Sequence, residues 1–396
     1  MYELMPSPTR PEARARAKVA PRTGARPHVC FVAPTTWPVL ARDRAIEVVG
    51  GAEVQQSMIA RALACRGYRV SMICHDYGQP DGIEVDGITI HNMHKPDGGI
   101  PVVRFFHPRF TSLWSALARA DADVYYQRSA AVWTGFVAAF CRRHGRASIY
   151  AGACDVDFVP GQQEIRFARD RRIFEWGLRR VNRVVVQNAA QAEALRRHFG
   201  REGSLIPSCY VPCEDARADR AGYVLWAATM RPSKQAEKLL EIARLLPQHR
   251  FVMVGGTDPA ARSYCEALLD AARALPNVEV AGFVPYAEVE RYFNGARVFL
   301  NTSDYEGFPN TFLQSWSRGV PTVAFFDTGS RRAGEPPYDL VGDVGQAARA
   351  IDRLMRDDVH WHQASQRSAA HFRESHSMDA VIAMYEREIA ALAGSA

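Results

Sequence analysis

Short runs of β-branched and aromatic residues alternate with amphipathic helical patterns along most of the chain. In the first half, strands are predicted near 28–33, 69–74, 123–126, 148–151 and 183–187. A helix predicted over 52–66 carries Val54, Met58, Ile59 and Leu63 on one apolar stripe. Strands that alternate with helices are typical of βαβ units and parallel sheets. The pattern therefore predicts an α/β fold.

The periodicity stops over 207–222, where prolines, cysteines and charged residues follow one another, and then restarts. Strands are predicted after it at 223–227, 251–254, 278–280, 298–301 and 321–325, and helices at 235–246, 260–274, 286–294 and 310–318. At 396 residues the chain is longer than a single hydrophobic core usually allows. We expect a first Rossmann-like domain over 27–211, a linker over 212–222 and a second domain over 223–373. Ligands of such sheets bind at the carboxyl ends of the strands, so the cleft between the domains is the expected site.

The formal net charge of +6 lies largely outside this pattern. Residues 1–26 carry six basic and two acidic side chains and few apolar ones, and they are predicted to be a disordered basic tail. No long apolar stretch and no secretory signal is seen, which favours a cytoplasmic location. Scattered cysteines and isolated histidine pairs complete no metal site, and nucleic acid is not expected as a partner.

Two glycines, Gly50 and Gly51, stand directly before the first long helix. They let the backbone approach a ligand while the helix N-terminus offers amides to an anion. A simple turn remains the alternative. No G-x-G-x-x-G follows the first strand, where Pro34, Thr35 and Thr36 stand instead, so a dinucleotide-dependent epimerase or dehydrogenase is disfavoured.

The second domain contains the sequence DYEGFPNTFLQ over 304–314. Here Glu306 lies on a tight loop of Gly307, Phe308 and Pro309, ahead of a helix expected to be capped by Asn310 or Thr311. An acid that binds hydroxyl groups beside a helix end that attracts anions suits a sugar joined to a diphosphate. An acidic loop followed by a helix cap is the alternative.

In the order and spacing of its motifs, the chain resembles the retaining GT-B glycosyltransferases of family 4. The motifs are GGAE at 50–53, VVVQ at 184–187, Lys234, VGG at 254–256, GFV at 282–284 and EGFP at 306–309. The resemblance implies two Rossmann-like domains with parallel sheets facing a central cleft. It also implies that the last helix, near 378–392 within the segment 374–396, crosses back to the first domain.

The resemblance also implies roles for individual residues. Glu306 contacts the donor sugar and its reacting face, and Lys234 binds the donor diphosphate, over which Gly50 and Gly51 lie. Gly282 and Phe283 match the region that receives the base, and the loop over 307–311 faces sugar and phosphate. The reaction is transfer of a sugar from a nucleotide sugar to a hydroxyl acceptor, with retention of configuration and with neither metal nor cofactor.

Three positions depart from the family pattern. The second motif glutamate is Gln314, which accepts hydrogen bonds but carries no charge. The arginine expected five residues before the lysine is Thr229, which leaves Arg231 as the nearest replacement. A first-domain histidine is missing from the strand that runs into Asp155 and Asp157, two residues that either contact the acceptor or cap a turn.

These departures keep open a second function, that of a catalytically weak or inactive protein that binds a sugar nucleotide or glycan.

The predicted helix over 164–183 raises a separate question, because its aromatic residues are interleaved with seven arginines. Such a helix either packs as an ordinary surface helix or lies on an anionic membrane. The partners expected are therefore a nucleotide sugar and a glycan, lipid-linked or small-molecule acceptor, with peripheral membrane contact left open.

Overall fold

The structure is a computed structural model that describes residues 26–41, 50–100, 103–211, 222–305 and 308–394. The predicted tail over 1–26 and the predicted linker over 212–222 lie almost wholly outside these ranges. So do Glu306 and Gly307, two of the predicted site residues. The described residues form two parallel sheets with helices on their faces, which confirms the predicted α/β fold with two Rossmann-like units.

In the described part of the chain, the first sheet has eight strands in the spatial order β3-β4-β2-β1-β5-β6-β7-β8. Its pairs are parallel except β3 with β4. The short hairpin of β3 and β4 was not predicted, because β3 has two residues and is largely exposed. The strands are β1 (Val29–Val32), β2 (Val70–Cys74), β3 (Glu84–Val85), β4 (Ile88–Asn92), β5 (Val124–Arg128), β6 (Ala147–Ala151), β7 (Arg183–Val186) and β8 (Ser204–Leu205).

Before the second sheet begins, the described residues form six α-helices and a π-helical turn, Phe105–Phe110. The arginine-rich helix is shorter than the predicted 164–183, because the backbone of Phe167 is extended and the helix ends at Leu178. The α-helices are α1 (Trp37–Leu40), α2 (Gly51–Cys65), α3 (Thr111–Ala120), α4 (Val132–His144), α5 (Ala168–Leu178) and α6 (Ala189–Phe199).

The second sheet has six strands in the order β11-β10-β9-β12-β13-β14, and all its pairs are parallel. Its strands are β9 (Tyr223–Ala227), β10 (Phe251–Val254), β11 (Val278–Gly282), β12 (Ala296–Asn301), β13 (Thr322–Ala324) and β14 (Asp339–Leu340). The helices that follow are α7 (Ala236–Leu245), α8 (Arg262–Arg273), α9 (Tyr286–Asn294), α10 (Asn310–Trp316), α11 (Val344–Arg356), α12 (Asp358–Ser375) and α13 (Met378–Ala393).

The last helix, α13, packs on the first sheet rather than the second. Val381, Ile382 and Tyr385 are buried in the same core as Val29 and Val124. Burial of apolar side chains on both sides of a junction fixes one unit on the other. The chain thus crosses between the two units once near Tyr210 and once again at the start of α13.

Candidate active site

The loops at the carboxyl edge of the second sheet are joined by main-chain hydrogen bonds. Met230 N–H donates to the Gly256 carbonyl at 2.8 Å, and Gly255 N–H donates to the Gly282 carbonyl at 2.8 Å. Asp304 N–H reaches the Ser233 carbonyl at 3.2 Å. Each loop therefore supports the next, and together they form a continuous rim facing the first domain.

Gly255 makes this rim possible. Its φ is +153°, and a Cβ placed on it would lie 1.7 Å from the Ala228 carbonyl oxygen. No other residue fits where the backbone of the neighbouring loop comes so close. The VGG motif is therefore explained by backbone packing between the loops after β9 and β10.

Lys234 ends a short helical turn, Pro232–Lys234, in the loop after β9. Thr302 at the end of β12 donates its hydroxyl to the Lys234 carbonyl at 2.6 Å and accepts Trp226 Nε1–H at 2.8 Å. These bonds hold the Lys234 backbone at the edge of the central strands. Arg231, at the start of the same turn, is exposed.

The end of β11 and the loop after it carry the two residues predicted to receive the base. Gly282 has a φ of +69°, which glycine adopts without strain. Phe283 is 37% exposed, and its ring lies 3.3 Å from the position of a Cβ on Gly256. An exposed aromatic face supported by backbone is suited to stacking on a planar group.

Tyr305 and Phe308 flank the two undescribed residues of the EGFP motif. Burial raises the pKa of the Tyr305 phenol, and the negative charge of Glu164 on the first domain adds to the shift. Phe308 packs against the rings of His376, at 4.7 Å, and Trp316, at 5.9 Å, and so anchors the loop.

The expected cap on the next helix is wrong. Pro309 is the N-cap of α10, and neither Asn310 nor Thr311 caps it. The Asn310 side chain is engaged across the cleft instead, because its Nδ2–H donates to the Gly51 carbonyl at 3.0 Å. Its Oδ1 accepts Gln55 Nε2–H at 2.7 Å.

These bonds bring the start of α2 against the start of α10. Gly50 is the N-cap of α2, and a Cβ on Gly51 would lie 3.2 Å from Asn310 Nδ2. The Glu53 carboxylate folds back over Gly50 and accepts the Thr35 hydroxyl at 2.6 Å. The two predicted glycines therefore lie in the cleft, at a helix N-terminus that attracts negative charge.

Gln314 is only 3% exposed. Its Nε2–H donates to Glu290 Oε1 at 3.2 Å, and the same carboxylate forms an ion pair with Arg318 and accepts the Tyr210 hydroxyl. The predicted ribose partner thus belongs to a buried polar network. Sequence reasoning missed Glu290, although an acidic residue on the helix after GFV was a signal that could have found it.

Of the two first-domain aspartates, Asp157 is bound within its own loop and Asp155 is bound by side chains at the start of α6. Asp157 is buried and accepts N–H groups from Ala153 and Cys154 and the hydroxyl of Tyr150. Burial is the main reason that its pKa is raised to about 6. Asp155 accepts side-chain amides and is the more accessible of the two, and burial raises its pKa as well.

Arg128, at the end of β5, is a second residue that the sequence reading missed. It is 5% exposed, and its guanidinium donates to the Ser208 hydroxyl at 3.2 Å. Within the described part of the chain, no carboxylate lies within salt-bridge distance of it. A charged residue that ends a buried strand was the available signal.

Among the described residues, no three His, Cys, Asp or Glu side chains come together as metal ligands would. No described helix is both long and apolar enough to span a lipid bilayer.

Two family models match consecutive parts of the chain. The model of the glycosyl transferase 4-like domain matches residues 50–208, and that of the glycosyl transferases group 1 matches residues 221–357. A curated relative, alpha-monoglucosyldiacylglycerol synthase of Acholeplasma laidlawii, is 30% identical over 91 residues. That match spans 23% of this chain and only 22% of the relative's length.

Solved structures resemble the whole chain more closely in fold than in sequence. The match to sucrose-phosphate synthase from Thermosynechococcus elongatus spans 94% of this chain and 100% of that enzyme's chain. Its TM-score is 0.76, and the two sequences are 19% identical. Anabaena HepE in complex with UDP-glucose covers 94% of this chain and is also covered fully, with a TM-score of 0.71 and 15% identity.

Proposed function

Because the chain belongs to the group 1 glycosyl transferases with the GT-B fold, we propose that it transfers a sugar from a nucleotide sugar to an acceptor hydroxyl. The anomeric configuration is retained, and no divalent metal takes part. The donor lies along the rim of the second sheet, with its diphosphate between that rim and α2.

The contact between the starts of α2 and α10 is the observation that carries this proposal. The hydrogen bond from Asn310 to the Gly51 carbonyl, 3.0 Å long, brings the Gly50–Gly51 turn next to Asn310, the residue that follows the EGFP motif. Two segments more than 250 positions apart, both assigned to the donor from the sequence, thus meet at one place. A separate turn and a separate helix cap would have no reason to meet.

The proposed roles follow from charge. As the sugar leaves, negative charge grows on the diphosphate, and preorganised cations and amides lower the energy of that state. Lys234, Arg231 and the first amides of α2 supply them, with Gly307 to Thr311 beside the sugar. Glu306 orients the sugar hydroxyls, and Gly282 with Phe283 receives the base. This basic surface does the work that a bound cation would otherwise do.

The two departures act together in this proposal. Gln314 binds the ribose hydroxyls through its amide oxygen while its Nε2–H is held by Glu290, at 3.2 Å. The exposed Thr229 supplies no charge, so Arg231 provides the second cation. Asp155 is the first-domain residue we assign to the acceptor, and Asp157 shapes the loop that presents it.

The acceptor is a hydroxyl compound that reaches the cleft from the first domain. The name of the Acholeplasma relative describes the synthesis of a glucosylated diacylglycerol. We propose a lipid-linked acceptor for this chain too, and peripheral association at the inner face of the membrane.

The test is turnover of a panel of radiolabelled UDP-, GDP- and ADP-sugars with and without a membrane lipid extract. We expect one donor to label the extract, with NMR of the product showing the donor's anomeric configuration. Activity should survive EDTA. Loss of turnover in EDTA that magnesium or manganese restores would contradict the metal-free mechanism, and an inverted product would contradict retention.

A binding protein without turnover is the second candidate, favoured by the engaged amide of Gln314 and by Thr229. It predicts that a nucleotide sugar raises the unfolding temperature but that no donor of the panel is consumed. Consumption of any donor at a rate that Lys234→Ala abolishes decides for the enzyme.

A further inference from the structure

An apolar pocket lies on the first domain between the π-helical turn Phe105–Phe110, α4 and α5. We propose that this pocket takes one acyl chain of a lipid while the arginines around it bind the headgroups of an anionic membrane. This inference rests on the proposed function, because membrane binding at the pocket would bring the enzyme to a lipid-linked acceptor.

The pocket has a volume of about 470 Å³ and aromatic walls. That volume falls within the range of known small-molecule sites, roughly 300–1,000 Å³. Phe105, Phe106, Phe110, Phe136, Ile173 and Trp176 form most of its lining. With so few polar groups to direct a polar ligand, the pocket suits a hydrocarbon chain.

The wall formed by α4 and α5 is held rigidly. A Cβ on Gly177 would lie 2.6 Å from Gly135 Cα, and a Cβ on Gly135 would lie 2.3 Å from Ile173 Cγ2. The two helices therefore touch through their glycines. The wall of the pocket beside this crossing is consequently preformed.

Large apolar side chains stand exposed around the opening. Phe106 is 66% exposed and Trp176 is 38% exposed, and both also line the pocket. Phe167, just before α5, and Val103, just before the π-helical turn, are exposed as well. Contiguous exposed apolar groups on a soluble surface mark an interaction site.

Arginines lie over the aromatic rings at this rim. The guanidinium of Arg169 is 3.5 Å from the centre of the Phe105 ring, and that of Arg180 is 4.6 Å from the centre of the Trp176 ring. Arg172 lines the pocket directly. Arg169 pairs with Asp170 at 2.8 Å, whereas Arg166, Arg172 and Arg180 have no carboxylate within 4 Å among the described residues.

This combination selects the occupant. Cationic side chains around exposed aromatic residues complement an anionic lipid surface, whose headgroups pair with arginine while apolar groups enter the acyl region. A protein partner would need an extended surface rather than a single open aromatic pocket ringed by arginines. An anionic bilayer that donates one chain is therefore the partner we assign.

The test is flotation with vesicles of phosphatidylcholine alone or mixed in equal parts with phosphatidylglycerol. The wild type should bind the mixed vesicles at least tenfold better than the neutral ones. Phe106→Asp should lower that binding at least fivefold, because its charge would enter the bilayer. Arg166→Glu with Arg172→Glu should abolish the preference for phosphatidylglycerol.

Two matched controls lie on the second domain. Val359, which is 69% exposed on α12, is replaced in Val359→Asp, and the exposed Arg262 of α8 in Arg262→Glu. Both variants should bind mixed vesicles as the wild type does. Equal losses in controls and test variants would overturn the proposal, as would binding of the wild type to neither vesicle.

Insertion into the pocket is tested separately with vesicles whose acyl chains carry bromine, which quenches nearby tryptophan fluorescence. Quenching should fall when Trp176 is replaced by Phe. Unchanged quenching in Trp176→Phe would show that no chain enters the pocket and would overturn its assignment.

A donor-induced rise in unfolding temperature should persist in Phe106→Asp. If the wild type itself showed no donor-induced rise in unfolding temperature, the proposed function would be contradicted instead.

Discussion

On the second-domain side of the cleft, main-chain hydrogen bonds join the loops after β9, β10 and β11. In the first domain, the loops are held mostly by hydrogen bonds to side chains. Gly255 and Gly282 hold the rim of the second domain. Asp157, by contrast, gathers its own loop through one carboxylate. A rim built from backbone tolerates changes of side chain except at its glycines. The first domain is free to vary its side chains and hence its acceptor.

The largest expected effect is on stability, in Gly255→Ala. The added Cβ would meet the Ala228 carbonyl at 1.7 Å, so the two loops must separate. We expect a loss of about 3 kcal/mol in the free energy of unfolding. Gly200→Ala is the matched control, because Gly200 also has a positive φ, +62°, but open space around it. Its cost should be about 1 kcal/mol, measured by urea unfolding. Equal costs would show that the rim does not depend on close loop packing.

The next effect concerns His376, at the junction of the two sides. Burial lowers the pKa of His376 to about 3, and its Nδ1–H donates to the Ser208 carbonyl at 2.7 Å. Between pH 6.5 and pH 3, His376 therefore binds a proton in the unfolded chain but not in the folded chain. This stabilisation is complete above pH 6.5 and is lost progressively as the pH falls towards 3.

At pH 5 the loss from His376 amounts to about 2 kcal/mol. His376→Gln keeps a donor for the Ser208 carbonyl but has no group that titrates. The difference in unfolding free energy between wild type and variant should shrink by that amount between pH 7.5 and pH 5. A difference independent of pH would mean that His376 is protonated in the fold.

Lys234→Ala tests the donor side directly. An ammonium beside the leaving diphosphate favours the transition state over the bound donor. We expect turnover per bound donor to fall at least about tenfold, the effect of one charge-assisted contact. The exposed Lys95 of the first domain provides the control, since Lys95→Ala should turn over normally. Wild-type kinetics in Lys234→Ala would remove that lysine from the site.

The smallest effect concerns Gln314→Glu. A second carboxylate 3.2 Å from Glu290 would remove a donated hydrogen bond and add repulsion, so donor affinity should fall. Thr229→Arg should relieve part of this by supplying a cation, with a coupling free energy of about 1 kcal/mol. Donor affinity is measured for the wild type, both single variants and the double variant. Strict additivity would show that the two departures are unrelated.

Much of the fold could be predicted from the sequence because its strands are short, apolar and separated by helical periodicity. The observed strands Tyr223–Ala227 and Phe251–Val254 match the predicted ranges. The β3–β4 hairpin was missed because β3 has only two residues, which are largely exposed and carry no apolar pattern.

The site was predicted less completely, for a physical reason. Motif spacing identifies residues such as Lys234 and Gly51, but hydrogen bonds between distant segments decide their neighbours. The Asn310 amide, predicted as a helix cap, is hydrogen-bonded to Gly51 of the first domain instead. Glu290, which accepts the Gln314 amide, lies on a different helix, α9. The Asn310 contact has no local sequence signature, and for Glu290 the sequence offers only an acidic residue on the helix after GFV.

The most direct test of the central claim, a donor site on the rim of the second domain, is thermal unfolding with UDP, GDP, ADP and their sugars. A ligand that binds only the folded chain stabilises it by about 2.7 kcal/mol at a concentration 100 times its dissociation constant. We predict that one of these nucleotides raises the unfolding temperature of the wild type and raises it much less in Lys234→Ala. An equal rise in both proteins, or no rise with any nucleotide, would contradict the account.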